Sequence, residues 1–225
     1  MAIALNKLDL DEVLRYMGCP PDQAEESLRA RVYSGTEEIR RVAAPRWAYR
    51  IFELTTEEEG VRLSCGLLLP GRDLKVHLSG CLQVVLFCAT LGAGVDALIR
   101  RAESSDMLQA LILDCSAAAA VEQVCDQVEE ELQGMFPGCY FPFRYSPGYG
   151  DLPLSLQGEL LTLLDAPRRV GLTATSSHIL LPRKSVTAFL GVADQPIEKG
   201  ARSCVNCPAH KTCQYRKSGG HCGIS

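Results

Sequence analysis

The sequence predicts an α+β fold: a twisted antiparallel sheet with flanking helices. Three observations lead there. Apolar residues at helical spacing are grouped before and around the strand-like runs. Two of those runs follow one another across a short polar turn, as antiparallel neighbours do. The regular alternation of strand and helix that a parallel sheet needs is missing. With 225 residues, 47% of them hydrophobic, the chain can bury a sizeable core.

The elements follow in order. "LDLDEVLRYMGC" (Leu8–Cys19) opens with acids and places Leu10, Val13, Leu14 and Met17 on one helical face until Gly18 stops it. A second helix is expected over Asp22–Val42, with many exposed charges. "WAYRIFELT" (Trp47–Thr55) and "VRLSCGLLL" (Val61–Leu69) read as strands joined through "TEEEG". "LQVVLFCAT" (Leu82–Thr90) is the most buried strand candidate, and "GVDALIRRA" (Gly94–Ala102) returns to helix. From Ser105 to Gln133, Leu108, Leu111, Ile112, Cys115, Val121, Val124, Cys125, Val128 and Leu132 form the clearest helical stripe. Its small-residue middle, "SAAAAVE", admits the close approach of another element or of a ligand, and its end, "DQVEEEL", carries acids on the outer face.

Beyond Gly134 the texture changes. "MFPGCYFPFRYSPGYGDLP" (Met135–Pro153) is too rich in Pro, Gly and aromatics for regular structure, yet too apolar for a linker. Leu154–Asp165 reads as a helix, Val170–Leu180 as a strand region and Lys184–Val192 as a last strand. Residues 1–192 therefore make the body, and 193–225 a Cys-rich tail.

Charge is unevenly spread. Residues 166–225 carry nine Lys/Arg against two acids, while the rest of the chain is strongly acidic. This is either a basic face for an acidic or phosphate-bearing partner or a solvated surface. Scattered basic residues without interleaved aromatics argue against nucleic acid. No uninterrupted apolar run reaches the roughly 18–20 residues that span a bilayer, and the start lacks the pattern of a signal peptide. The expectation is a cytoplasmic protein with no membrane partner.

In the cytoplasm thiols stay reduced, so crowded cysteines read first as a metal site. "SCVNCPAHKTCQYRKSGGHC" (Ser203–Cys222) holds Cys204, Cys207, Cys213 and Cys222. The C-x2-C pair aims two thiolates at one centre and the other two complete four ligands. An iron–sulfur cluster of the [4Fe–4S] type suits this all-thiolate, irregular spacing. Zinc is the alternative, with His210 and His221 available as substitutes. The other seven cysteines lie on apolar stretches and are expected in the core.

"RYSPGYGDLP" (Arg144–Pro153) gathers the parts of a small-molecule site. Pro147 stiffens the turn, Gly148 permits a positive φ, and Gly148 and Gly150 leave the backbone open to close approach. Arg144 can grip a carboxylate and Tyr149 offers a face for stacking. The other reading is a structural loop with Arg144 on a surface acid.

These residues resemble the R-x-x-x-G-Y-x-x-x-P signature of the activation domain of cobalamin-dependent methionine synthase, with Arg144, Gly148, Tyr149 and Pro153 on its fixed positions. "GLTATSSHILLPRKSVTAFLG" (Gly171–Gly191) resembles that family's next block, and the likeness is strongest over residues 139–192. It implies that fold and a role in reductive reactivation. S-adenosylmethionine donates a methyl group to cob(II)alamin as an external electron donor reduces the cobalt. Arg144 would pair with the methionine carboxylate, and Ser146, Gly148, Tyr149 and Gly150 would line the ligand. The cobalamin would belong to a partner, a short methionine synthase or another corrinoid methyltransferase, with this domain standing alone. A cluster in the tail would then relay the electron, which zinc cannot do. The rival expectation is a non-enzymatic corrinoid-protein interaction module with a structural zinc tail. An orphan ferredoxin-like carrier fits such a large body less well.

Overall fold

The computed structural model describes residues 3–197. Its centre is a five-stranded, wholly antiparallel sheet. The strands are β1 (Arg46–Thr56), β2 (Gly60–Leu63), β3 (Leu68–Pro70), β4 (Gln83–Thr90) and β7 (Ser185–Val192), in the spatial order β3-β2-β1-β4-β7. A two-stranded ribbon, β5 (Thr173–Ala174) with β6 (Leu180–Leu181), stands apart. The α+β expectation holds.

β4 organises the rest. Phe87 lies opposite Tyr49 of β1 and Ala188 of β7. Its side chains alternate between two cores, as the period of a strand requires. Val85, Phe87 and Ala89 face one, with Ala188 and Leu190 of β7. Val84, Leu86 and Cys88 face the other, with Ala48 and Phe52 of β1. A strand buried on both faces reads as a continuous apolar run, which is how "VVLFCA" looks in the sequence.

The first core is covered by α4 (Ala93–Glu103) and α5 (Met107–Gly134), outside which pack α1 (Leu10–Tyr16) and α2 (Glu26–Val42). Asp9 caps α1 through the Asp11 amide at 2.9 Å, and Asp106 caps α5 through the Gln109 amide at 3.0 Å. Asp106 also pairs with Arg31 of α2 at 2.7 Å, fixing where α5 starts against its neighbour. The small middle of α5 serves packing. Ser116, Ala117, Ala119 and Ala120 are buried, and a Cβ on Gly35 of α2 would lie 2.5 Å from Ile112 Cγ2. By length and composition α5 is apolar enough to cross a bilayer. Its apolar character is interrupted in sequence by single polar residues, and 61% of its most apolar window is buried in this fold.

The second core is covered by α3 (Arg72–His77), α6 (Gln157–Leu163) and α7 (Ala166–Val170). α3 was not expected, and the single strand expected over Val61–Leu69 is two. The backbone turns at Ser64–Gly66, where the Gly66 amide donates to Leu63 O at 2.8 Å. Val170, expected to begin a strand region, instead ends α7, and Gly171 follows with φ +72°. Of the seven cysteines expected in the core, Cys81, Cys88, Cys115 and Cys125 are buried. Cys19 and Cys139 are half-buried, and Cys65, on the β2–β3 turn, is exposed.

β7 packs with little room to spare. A Cβ on Gly191 would lie 2.6 Å from Cys81 Sγ, 2.9 Å from Leu78 Cδ2 and 3.0 Å from Pro142 Cγ. Gly191→Ala should therefore lower stability by about 1–3 kcal/mol. Gly134→Ala, where an added Cβ meets nothing within 4 Å at the end of α5, should raise it by about 0.5–1 kcal/mol. Urea unfolding followed by the fluorescence of Trp47, the sole tryptophan, measures both. A Gly191→Ala protein with the parent's midpoint would contradict the close packing of β7.

Candidate functional site

The segment Tyr140–Tyr145 lies along the outer edge of β7 as a broken sixth strand. Tyr140 and Ala193 exchange backbone hydrogen bonds at 2.8 and 3.0 Å, and Tyr145 and Phe189 at 2.9 and 2.8 Å. The two sequence blocks that carry the resemblance are thus hydrogen-bonded neighbours, through Tyr145 and Phe189, which lie 44 positions apart in the chain. Lys184, just before β7, reaches α5 through Asp114 at 3.0 Å, so sheet edge and helix are also joined at that end.

Arg144 and Tyr145 point to opposite sides of this strand. Tyr145 enters the second core, and its hydroxyl donates to Tyr149 O at 3.2 Å. Burial, then Asp73 and Asp151, push its pKa up to about 12, so it is a neutral phenol. Arg144 turns to α5. Its guanidinium bonds Glu122 through Nη2, and Asp126 (2.7 Å) and Glu129 through Nη1. These acids stand at i, i+4 and i+7, one rim of a single helix. Burial of Arg144 works against its charge, but Glu129 and Glu122 overcome this and hold its pKa above the ordinary value. Beneath the rim, burial pushes the Cys125 thiol up, which makes it a poor nucleophile. The end of α1 adds Glu12 and Tyr16. Burial raises the pKa of Glu12, with Asp9 and Asp126 adding to it. Burial, then Glu12 and Glu122, push Tyr16 up to about 12.

The turn after Arg144 has the shape its residues predict. Gly148 has φ +91° and Gly150 φ +52°. The Gly148 amide donates to Leu152 O, and the Tyr149 amide to Ser146 O. Pro147 is buried and Ser146 half-buried, while Gly148, Tyr149 and Gly150 are exposed. The Tyr149 ring stands 6.1 Å from that of Tyr145, with 61% of the residue open. A Cβ on Gly150 would lie 2.5 Å from the Tyr145 hydroxyl. Asp151 then caps α3, accepting from the Arg72 amide at 2.6 Å and the Asp73 amide at 3.2 Å. The glycine turn thus packs against Tyr145 and α3 on one side of the strand, while the Arg144 guanidinium rests among acids of α5 on the other.

Of the expected site residues, Ser146, Gly148, Tyr149 and Gly150 lie on this turn, and the Arg144 side chain is directed to α5 instead. Cys204, Cys207, Cys213 and Cys222, with the expected cluster or zinc, lie outside the described residues. Among the described residues no group of His, Cys, Asp and Glu has the arrangement of a metal site. A concavity of about 520 Å³ opens at the Tyr140–Ala193 end of β7, between Phe136, Cys139, Leu54 and Val192, and contains none of the expected site residues. Asp126 and Glu129 were visible in the sequence only as acids on an outer helical face, and Glu122 only as the end of the small-residue middle of α5. Their i, i+4, i+7 spacing marks a charged stripe but does not name the guanidinium it meets.

The chain thus combines an antiparallel sheet, a turn docked on its edge and a long covering helix in one α+β fold. A solved structure, described as the MetH reactivation domain bound to AdoHcy, superposes with a TM-score of 0.65, covering 88% of this chain and 79% of that one at 15% identity. This chain therefore has the fold that the sequence resemblance implied. No protein-family description matches the sequence, and no curated protein matches it.

Arg144→Gln should leave three carboxylates on one helix unneutralised and lower stability by about 2–3 kcal/mol, with Arg144→Lys losing less. Urea midpoints of the three proteins test this, and an unchanged midpoint in Arg144→Gln would remove the cross-link from the account. Gly148→Val should lose about 1–2 kcal/mol because a β-branched residue is strained at positive φ. Tyr149→Phe, at an exposed ring, should stay within about 0.5 kcal/mol of the parent. Thermal melts rank the pair, and the reverse order would contradict the turn geometry.

Proposed function

We propose that this protein reactivates a corrinoid methyltransferase, binding S-adenosylmethionine on the Arg144–Gly150 turn and presenting its methyl group to cobalamin carried by a partner. The observation that carries the reading is the turn itself. It sits on the sheet edge of a fold shared with a reactivation domain that was solved with the demethylated form of that ligand. The chemistry of the turn fits. Arg144 can exchange one of its own carboxylates for that of the amino acid, and the freed acid then meets the ammonium group. The side-chain-free glycine backbone and the exposed Tyr149 ring suit a nucleoside that must approach backbone closely. What these residues do is bind and orient; the turn holds no nucleophile or general base.

The partner is a corrinoid protein, either a methionine synthase or another corrinoid methyltransferase, and an external donor supplies the electron. Cys204, Cys207, Cys213 and Cys222 would hold a [4Fe–4S] cluster. Four thiolates with no carboxylate among them are the donor set such clusters use. When bound, that cluster supplies one-electron transfer.

Calorimetry on the full chain tests the ligand, and Arg144→Gln should weaken S-adenosylmethionine at least tenfold. If the parent shows no binding, the reading fails. Anaerobic iron, sulfide and zinc analysis tests the tail. In the Cys204→Ser, Cys207→Ser double variant, metal should be lost, the unfolding of the body should change little, and reduction of the partner's cobalt, followed by absorbance, should stop. Zinc without iron, or unimpaired reduction in the variant, would overturn the relay and favour a structural tail.

A further inference from the structure

We infer that the acidic rim beside Arg144 makes this site read ligand charge, holding the sulfonium S-adenosylmethionine more tightly than the thioether S-adenosylhomocysteine, so that methyl transfer loosens its own product. This rests on the function proposed above and concerns that same site.

The reasoning begins with a charge imbalance. One guanidinium faces three carboxylates, Glu122, Asp126 and Glu129. From α1, Glu12 and Arg15 add one charge of each sign to the neighbourhood, so the excess of negative charge remains. Glu129 is the inner member of the rim, with its side chain 16% exposed, whereas Glu122 and Asp126 face outward at 42% and 64%. The rim therefore surrounds the guanidinium, and its two outer acids are open to any ligand seated there.

A ligand whose carboxylate docks on Arg144 brings one more negative charge. Its ammonium offsets that charge, and the ammonium is common to both forms of the ligand. The difference lies two methylenes beyond the α-carbon. Before transfer the sulfur bears a methyl group and a positive charge. In transfer the carbon–sulfur bond breaks, sulfur keeps the electron pair and becomes a neutral thioether, and the partner's corrinoid, once the external donor has reduced it by one electron, takes the methyl with the pair it then holds. The ligand thus loses one positive charge in a field that favours positive charge. The outer acids are solvated, so the preference must be moderate and sensitive to salt.

The test is calorimetry on the full chain with three ligands: S-adenosylmethionine, S-adenosylhomocysteine and sinefungin. In sinefungin an amine-bearing carbon replaces the methylated sulfur, so positive charge is present without a sulfonium. At low salt the parent should bind S-adenosylmethionine and sinefungin about tenfold more tightly than S-adenosylhomocysteine. In Asp126→Asn, and in Glu122→Gln with Asp126→Asn, the ratio should fall to about two- or threefold, and half-molar salt should compress it in the parent. Asp126→Asn alters the most exposed acid of the rim, and thermal melts check that each variant is folded. Equal affinities in the parent, a ratio that survives in the folded variants, or sinefungin binding like the thioether would each overturn charge reading while leaving the ligand site standing. Failure of all three ligands to bind would overturn the proposed function itself, and this inference with it.

Discussion

The burial of β4 on both faces is the constraint from which the remaining architecture follows. A strand with no solvent face must be covered twice, and the two covers are unlike. One is the long helix α5 with α4, and the other is the short helices α3, α6 and α7. β4 must also be paired along both edges, by β1 on one side and β7 on the other. The motif segment lies on the far edge of β7, and its arginine reaches back over that edge to α5. The candidate site thus stands at a corner where the sheet, its helical cover and an irregular segment meet, and none of the three forms it alone.

This geometry accounts for what the sequence made legible. β4, β7 and α5 were visible because their burial is strong: an unbroken apolar run for β4, an apolar run interrupted by Thr187 for β7, and a long stripe for the helix. The Val61–Leu69 run misled because "SCG" in its centre is compatible with a strand in composition, yet Gly66 takes φ +92° and reverses the chain. α3 was invisible because six residues cannot establish a helical period, and its N-terminus is capped by a distant residue, Asp151. A local reading has no access to such a cap.

The site divides in the same way. The backbone properties of the turn follow from Pro147, Gly148 and Gly150 themselves, so its shape was open to inspection. The partners of Arg144 were not, because pairing across tertiary structure depends on which helix passes alongside. Of the two sequence readings of Arg144, the pairing with acids is the one the structure displays, on α5.

The pairing of β7 with β4 bears on how the molecule comes into being. Ser185 and Thr90, joined by a side-chain hydrogen bond, are 95 residues apart, and the rest of the ladder has similar spans. Contacts of that separation carry a large loop-closure penalty and tend to form late, after the local helices and the β1–β2 hairpin. The motif segment, Tyr140–Tyr145, has no edge to dock on until β7 arrives. The Arg144–Gly150 turn is therefore among the last parts of the chain to reach its final place, and an incompletely folded molecule, however helical, would not yet display it.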